Sequence, residues 1–121
     1  MRYIHLFADS EGETHSEEVE IELIETNYAP PAPNLWASRS FPAGGYHFVR
    51  FPSGWYGDWH PAPHRQVFFL LRGESEGETS DGTRYRAGSG DIVLAEDTVG
   101  KGHRSWVVGD DEVWAAVVVL P

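Results

Sequence analysis

The stretch from residue 54 to residue 73 reads GWYGDWHPAPHRQVFFLLRG, and it decides the expected fold more than any other part of the chain. Its first half mixes aromatic and imidazole side chains, and its second half is an apolar run of strand length that ends at a glycine. In an extended backbone, residues two positions apart point to the same side. We expect that side to face the interior, and the residues that share it are His60, Ala62, His64, Gln66 and Phe68.

Two prolines interrupt the polar half of this stretch. Pro61 and Pro63 have no N–H group to donate to a neighbouring strand, so the segment between His60 and Gln66 cannot belong to a central ladder. The prolines also stiffen the backbone. We therefore expect the segment to lie at the rim of a sheet, where a site is both rigid and reachable.

Short strands with turn signals between them continue on both sides. Val19, Ile21 and Leu23 alternate with glutamates, a period of two that is typical of a strand with one buried face. The pair Asp81-Gly82 predicts a tight hairpin in which both turn positions adopt positive φ. No window predicts a long amphipathic helix. The pattern indicates roughly eight to ten short strands, arranged as a sandwich or barrel.

A proline-rich segment separates the first strands from the rest. Residues 26 to 42 carry Pro30, Pro31, Pro33 and Pro42, which predicts an extended arm or a covering loop. We expect a single domain over residues 1–121, with N-terminal strands and the arm in 1–44 and the barrel core in 45–121.

Composition excludes several classes of function. The formal net charge is −10, from 19 acidic and 9 basic residues, which argues against a nucleic-acid partner or an anionic membrane surface. The chain has no cysteine, so thiolate ligands and disulfides are impossible. Neither a signal peptide nor an apolar membrane span is evident, and we expect a cytoplasmic protein.

The stretch from Gly54 to Gly73 resembles the first motif of the cupin superfamily, with His60 at the first histidine of that motif. A second cupin motif is resembled more loosely by the segment from Gly90 to His103. Its Gly-X-X-His ending is intact, but Thr98 stands where the motif has proline, and its spacer is two residues longer. The resemblance implies an all-β, antiparallel jelly-roll barrel, or double-stranded β-helix, of the RmlC-like type with six to eight strands.

The resemblance also implies a divalent transition metal, such as Fe, Mn, Ni or Zn, inside the barrel. His60 and His103 match two of the histidine ligands, and Gln66 stands where the family has glutamate. Ala62 occupies the position of the second histidine, and His64, two residues later, could replace it. An amide oxygen is a workable neutral donor in place of a carboxylate.

The neutral character of these donors bears on the substrate. A metal held only by imidazole and amide groups keeps most of its positive charge and favours an anionic oxygen ligand, so we expect an acidic small molecule. On the loop before His103, the candidates for an acid, a base or a substrate clamp are Glu96, Asp97 and Lys101. The expected pocket residues are Trp55, Trp59, Arg65, Phe68 and Trp106, and Trp36 and Tyr56 are further candidates for apolar walls.

Three functions remain open on this reasoning. The first is a metal-dependent cupin enzyme acting on a small anionic organic molecule, with oxygenase, isomerase and lyase chemistry undistinguished. The second is a cupin that binds or senses a ligand without turning it over, which the alanine in the second histidine position favours. The third and least favoured is a purely structural interaction module. By analogy with cupins we expect a homodimer, with contacts through the N-terminal strands or the proline-rich arm.

Overall fold

A computed structural model describes all 121 residues of the chain and contains β-strands but no helix. In chain order the strands are β1 (Arg2–Ala8), β2 (Thr14–Glu20), β3 (Ile24–Thr26), β4 (Leu35–Ala37), β5 (Gly45–Phe51), β6 (Tyr56–His60), β7 (Gln66–Arg72), β8 (Glu74–Thr79), β9 (Arg84–Gly88), β10 (Ile92–Ala95), β11 (His103–Val107) and β12 (Val113–Val119). No helix is present that is long and apolar enough to span a lipid bilayer.

The strands form two main sheets and a small hairpin. A six-stranded sheet has the order β2-β1-β10-β7-β12-β5, and a four-stranded sheet has the order β6-β11-β8-β9. Strands β3 and β4 pair only with each other. All neighbouring strands are antiparallel except β1 and β10, which are parallel. The predicted all-β, jelly-roll class is confirmed.

The core lies between the two main sheets. From the six-stranded sheet come Leu6, Leu70 and Val113, and from the four-stranded sheet come Ala87 and Val107, all of them buried in one cluster. These side chains alternate with outward-facing neighbours along their strands, as the period of two requires. Because apolar burial stabilises the fold in proportion to area, this shared layer is what holds the sheets together.

The hairpin predicted at Asp81-Gly82 connects β8 to β9. The N–H of Thr79 donates to the carbonyl of Thr83, and Gly82 adopts a positive φ of 87°. The expectation of positive φ at both turn positions is wrong for Asp81, since no residue other than glycine has positive φ. Instead the Asp81 carboxylate accepts hydrogen bonds from the Thr83 N–H and the Thr79 hydroxyl, and these two side-chain hydrogen bonds stabilise the turn.

Two expectations about the N-terminal third need correction. The alternating stretch of glutamates predicts a strand as far as Leu23, but β2 ends at Glu20, and the N–H of Ile21 donates to the carbonyl of Met1. The structure has twelve strands, more than the eight to ten expected from the sequence pattern or the six to eight that the resemblance implies. Strand β4 lies within the region expected to be an arm, and β3 ends at the first residue of that region. The arm does stay outside the main sheets, as its prolines predict.

Candidate functional site

A cavity of about 120 Å³ lies between the two main sheets. It is lined by 18 residues, of which 12 are hydrophobic, so its few polar groups stand out against apolar walls. Besides the phenol of Tyr85, the polar side chains at its surface are His60, Gln66, Ser75, His103 and Ser105. A small organic molecule buried here would meet hydrogen-bonding partners on only part of its surface.

Strand ends bring three of these polar groups together. His60 is the last residue of β6 and pairs directly with His103, the first residue of β11, and their ring centroids are 4.8 Å apart. Gln66 is the first residue of β7 on the facing sheet, where it pairs with Ala95 of β10. Gln66 and His103 are both buried. The two imidazoles and the amide therefore meet at one end of the sandwich.

A glycine next to His103 makes this convergence possible. Gly102 has a positive φ of 78°, and a Cβ built there would lie 2.1 Å from the carbonyl oxygen of His60. No side chain fits in that space, and backbone atoms cannot move aside without breaking the β6–β11 pairing. Gly102 thus lets the loop that ends at His103 approach the end of β6 closely.

The hydrogen bond of His60 fixes its tautomer. Its Nδ1 lies within hydrogen-bonding distance of the backbone carbonyl of Asp58. A carbonyl oxygen can only accept, so Nδ1 carries the proton, and in the neutral ring Nε2 presents its lone pair. Nε2 makes no hydrogen bond within the protein and is free to accept a proton or to bind a metal.

His103 is oriented in the same way by a buried carboxylate. Its Nδ1 donates to Oδ2 of Asp97 across 2.6 Å, and Asp97 is fully buried. The other carboxylate oxygen, Oδ1, is buried without a hydrogen-bond partner. A carboxylate on Nδ1 holds the ring in one orientation and leaves Nε2 free, as the outer partners of metal-binding histidines do.

Tyr85 supplies a phenol to the same cavity. Its ring lies against Gly77 of the neighbouring strand β8, where an added Cβ would fall 2.2 Å from the ring carbon that bears the hydroxyl. Burial, with the nearby Asp97 carboxylate, raises the pKa of Tyr85 far above its usual range, and its hydroxyl makes no hydrogen bond within the protein. Tyr85 is therefore a protonated donor that faces the cavity without a partner.

The structure brings several of the predicted pocket residues to this cavity. Trp55, Phe68 and Trp106 line it, together with the three predicted ligands His60, Gln66 and His103. Ala62, in the position of the second cupin histidine, also lines the cavity and is only 3% exposed. Asp97 lies behind His103 and not in the cavity wall, so it supports an imidazole and does not contact a ligand directly.

His64 does not join the other predicted ligands. It is exposed and does not line the cavity. The parity argument that included it assumes an extended backbone from His60 to Gln66, but β6 ends at His60, β7 begins at Gln66, and the backbone bends at Pro63 and His64. A bend breaks the alternation, so a residue of the expected parity no longer faces the interior.

The prediction that Trp59 and Arg65 line the pocket is wrong, and both errors have the same cause. Each is the sequence neighbour of an inward residue, His60 or Gln66, and neighbours along a strand point to opposite sides. Trp59 is 43% exposed and stacks with the guanidinium of Arg104, 5.1 Å from its ring. Arg65 donates to Glu96 on the outer surface across 2.6 Å.

Glu96 and Lys101 also lie outside the cavity, so they cannot serve as its acid, base or clamp. Glu96 follows the inward Ala95 and bonds to His5 and Arg65 on the outer face, and the Arg65 guanidinium helps to keep its pKa low despite partial burial. Lys101 is exposed and forms an ion pair with Glu13, 2.9 Å away. The further wall candidates, Trp36 and Tyr56, are exposed as well.

The sequence reasoning missed several cavity residues, four of which are aromatic or polar. They are Phe51, Ser75, Tyr85 and Ser105. A usable signal exists for Tyr85, because the sequence from Arg84 to Ala87 alternates basic and apolar residues, the pattern of a strand with one wet face. For the serines no comparable signal exists, since a small hydroxyl residue is equally common on either face.

The donor set fits a divalent ion only if the amide takes part. No group of three or more His, Cys, Asp or Glu side chains is arranged to hold a metal. Two imidazoles with free Nε2 atoms and one amide oxygen give three neutral donors of the kind that Fe, Mn, Ni and Zn accept. Gln66 would therefore be an obligatory third ligand and not an accessory one.

No protein-family model matches the chain, and no curated protein does either. Among solved structures, the DMSP lyase DddQ from Ruegeria pomeroyi DSS-3 is 25% identical with a TM-score of 0.51, over 63% of this chain and 37% of the lyase. Drosophila melanogaster CENP-C bound to CAL1 is 11% identical with a TM-score of 0.52, over 82% and 79% of the two chains. The Cnp3 cupin domain of Schizosaccharomyces pombe is 14% identical with a TM-score of 0.49, over 100% and 83%.

These similarities concern the fold. The chain shares its fold with the DMSP lyase and with CENP-C, and it spans 37% of the length of the lyase. The same fold therefore occurs both in a lyase and in CENP-C, whose structure holds it bound to CAL1. Fold alone does not choose between catalysis and binding, and the residues of the cavity must decide.

Proposed function

We propose that this chain is a metal-binding cupin that acts on a small anionic organic molecule in the cavity between its sheets. The observation that carries the proposal is the convergence of His60, Gln66 and His103 on one apolar cavity. Both imidazoles donate through Nδ1 to oxygen acceptors, so both present Nε2. A divalent metal bound there would act as a Lewis acid on a carboxylate or enolate oxygen.

The charge balance of the cavity supports an anionic ligand. All three proposed ligands are neutral, and no Asp or Glu side chain lines the cavity, in a protein whose net charge is −10. A cation held by these donors keeps its charge, which makes an anionic oxygen the favourable ligand for its open positions. Asp97, the carboxylate that accepts the hydrogen bond from His103, lies behind that ring and not in the cavity wall.

Other side chains of the cavity have separate roles in this proposal. The Tyr85 hydroxyl remains protonated, so it can donate a hydrogen bond to an oxygen of the bound molecule. Phe51, Trp55 and Phe68 form apolar walls that exclude water and strengthen polar interactions inside. Asp97 holds the His103 ring in place from behind.

A second candidate is a cupin that binds its ligand without turnover. Ala62 favours it, because the position that carries a second histidine in cupins is here a buried methyl group that lines the cavity. Without that imidazole, no third His or carboxylate ligand is available. His60, Gln66, His103 and Tyr85 would then bind the polar head of the ligand directly by hydrogen bonds.

Metal analysis of the purified chain tests the first proposal. We expect close to one equivalent of a transition metal, or a rise of about 10 °C in melting temperature when Fe²⁺, Mn²⁺, Ni²⁺ or Zn²⁺ is added at roughly 100 times its Kd. Affinity should fall at acid pH, because protonated imidazole cannot ligate. Less than a tenth of an equivalent of metal, with an unmoved melting temperature, would leave only the metal-free candidate.

Ala62→His gives a sharper comparison between the two candidates. The new imidazole would face the same cavity as His60 and His103, so it should raise Zn²⁺ affinity at least about tenfold if those residues form a metal site. Ala62→Asn is a control of similar polarity that provides a weaker ligand. Equal, negligible Zn²⁺ binding by wild type and both variants would contradict a metal site at these positions.

A further inference from the structure

A second cavity, which we call the outer trough, lies on the face of the six-stranded sheet that is turned away from the candidate metal site. Its volume is about 770 Å³, several times that of the cavity between the sheets, and no residue lines both. Small-molecule sites typically have volumes of roughly 300–1,000 Å³ and mostly apolar walls. Of the 17 residues that line the outer trough, 11 are hydrophobic. The outer trough therefore has the size and the apolar character of a ligand site of its own.

Two separate parts of the chain line the outer trough. The sheet contributes Val67 and Phe69 of β7, which alternate with the inward Gln66 and Phe68 of the other cavity. The proline-rich arm contributes further lining residues, among them Phe41. The six-stranded sheet is thus apolar on both faces, which is unusual where one face is open to solvent. An apolar ligand would cover the outer face and be held by the arm as well as by the sheet.

Arg39 brings a free positive charge to this apolar lining. The chain has nine Lys and Arg residues, and each of the other eight lies within 3.6 Å of a carboxylate oxygen. The Arg39 side chain forms no ion pair and no hydrogen bond, and its guanidinium instead lies over the ring of Phe41, 4.0 Å from the ring centre. Stacking leaves the N–H donors of a guanidinium unused, so they are available to a bound anion.

The other charges of the outer trough compensate each other. Glu96 is the only acidic residue in its lining, and the Glu96 carboxylate accepts a hydrogen bond from Arg65 across 2.6 Å. Along the chain, no Asp or Glu occurs between Glu25 and Asp58. Arg39 therefore has no neighbouring acid to pair with, although the chain as a whole has a net charge of −10. The lining as a whole offers one positive charge to a ligand.

We propose that the outer trough binds a single-chain amphiphile with one anionic head group, of the fatty-acid class. The carboxylate would pair with the guanidinium of Arg39, and the alkyl chain would lie over Val67 and Phe69. A neutral lipid would leave the donors of Arg39 unpaired, and a second acidic group on the ligand would meet no second free cation. This inference does not rest on the proposed function, because the two cavities share no residue.

Isothermal titration of the full chain with sodium dodecanoate tests the proposal. We expect one site per chain with a Kd of about 10–100 μM. From octanoate to dodecanoate, affinity should rise about three- to fourfold for each methylene that enters the trough. Dodecan-1-ol has the same chain without the charge and should bind at least about tenfold more weakly. Added salt should weaken the binding of dodecanoate but not that of the alcohol.

Two pairs of variants separate the head group from the chain. Arg39→Gln should weaken dodecanoate binding roughly 10- to 100-fold and leave dodecan-1-ol binding unchanged. Its control is Arg50→Gln, which removes the same charge at an exposed arginine outside the outer trough. Phe69→Ala should weaken the binding of both ligands, because it removes part of the apolar floor. Leu71→Ala is its control, on the same strand and exposed but outside the lining.

The cavity between the sheets is the competing location for a carboxylate, and His103→Ala without metal distinguishes the two. This variant should bind dodecanoate like wild type, and Arg39→Gln should bind Zn²⁺ like wild type, so each site can fail without the other. Loss of dodecanoate binding in His103→Ala but not in Arg39→Gln would overturn the proposal. Equal affinity for dodecanoate and dodecan-1-ol would overturn it too. So would binding only to phosphatidylglycerol vesicles, or a self-associated chain that excludes dodecanoate.

Discussion

His103 donates a hydrogen bond from Nδ1 to the fully buried carboxylate of Asp97 across 2.6 Å, and the same imidazole ring lines the cavity. The two residues are six positions apart, on either side of the glycine-containing loop that leads into β11. This contact links the interior of the fold to the candidate site. It also indicates which substitutions should change binding without unfolding the chain.

His103→Ala should abolish the rise in melting temperature that Zn²⁺ or Mn²⁺ causes, since it removes one of only three available ligands. We expect affinity to fall by at least the 10- to 100-fold typical of changes to an outer partner of a metal ligand. Isothermal titration with each metal measures it. His64→Ala is the matched control, because His64 is exposed and outside the cavity. Equal losses of metal affinity in His103→Ala and His64→Ala would indicate that the metal binds non-specifically to histidine side chains.

Asp97→Asn should weaken metal binding about 10- to 100-fold while preserving the fold. The asparagine has nearly the same shape, but its neutral amide lacks the charge of the carboxylate that accepts the hydrogen bond from His103. Asp97→Ala should in addition destabilise the chain by about 1–3 kcal/mol, because it leaves the buried Nδ1–H without an acceptor. Measuring metal affinity as a function of pH for wild type and Asp97→Asn distinguishes an effect of the carboxylate charge from an effect of its shape. Unchanged affinity and pH profile in Asp97→Asn would show that the carboxylate only fills space.

Gly77→Ala should destabilise the chain by about 1–3 kcal/mol, as overpacking does. The added methyl would lie 2.2 Å from the Tyr85 ring, which is held between the sheets and has little room to move. Gly88→Ala, on the same strand as Tyr85, is the control, since its nearest neighbour would be 3.8 Å away. Urea unfolding of the two variants measures the difference. If Gly77→Ala leaves the free energy of unfolding unchanged, the Tyr85 ring is able to move away from Gly77.

Tyr85→Phe should leave the tyrosinate absorbance of the folded protein unchanged through the ordinary range near pH 10. Burial and the Asp97 carboxylate raise the pKa of Tyr85 well above that range, so it contributes nothing to the ultraviolet titration of wild type there. Tyr28→Phe, at an exposed tyrosine, is the control and should lower the absorbance change by one residue's share. If Tyr85→Phe lowers it equally, the phenol is open to solvent.

His15→Gln should lower stability most at a pH below the unfolded imidazole value of about 6.5, and progressively less as the pH rises above it, as expected for an imidazole held charged. Hydrogen bonds to Asp9 at 2.7 Å and Asp81 at 2.9 Å raise the pKa of His15 in the folded state. Its contribution is therefore fully present below the unfolded value of about 6.5 and is lost as the pH rises through the higher folded pKa.

At low pH, protonation of the carboxylate partner Asp9 removes the stabilisation that its contact with His15 provides. Hydrogen bonding to His15 lowers the pKa of Asp9, so that contribution is lost as the pH falls through the lowered value. Urea unfolding of wild type and His15→Gln from pH 3 to pH 9 maps both limits, with exposed His64→Gln as the control. A difference between wild type and His15→Gln that is constant with pH would rule out the charged form as its source.

The fold class followed from local patterns that tertiary structure could not easily override. The period of two, the glycine punctuation and the Asp81-Gly82 pair each act over a few residues, and together they left no helix to predict. These patterns left a sandwich and a barrel both open, and the jelly roll was implied by the resemblance of Gly54–Gly73 and Gly90–His103 to the two cupin motifs. The extent of β2 was not predictable, since a strand ends where its partner β1 ends.

The direction of individual side chains depended on whether the backbone remained extended. His60, Gln66 and His103 line the same cavity, because each stands at the end of a strand that the sequence defines well. His64 lies where the chain bends between two strands, and Trp59, Arg65 and Glu96 are neighbours of inward residues, so alternation directs them to the outer surface.

The sequence by itself determined which residue types could bind a ligand and which kind of fold would hold them. Only the tertiary structure decided that Asp97 supports the His103 imidazole from behind. It also decided that the Tyr85 ring lies over Gly77, where only a glycine leaves room for it, and that the hairpin of β3 and β4 pairs with neither main sheet. The physical reason is that these are contacts between segments far apart in the chain, and their geometry is set by how the two sheets pack and not by any periodicity along one strand.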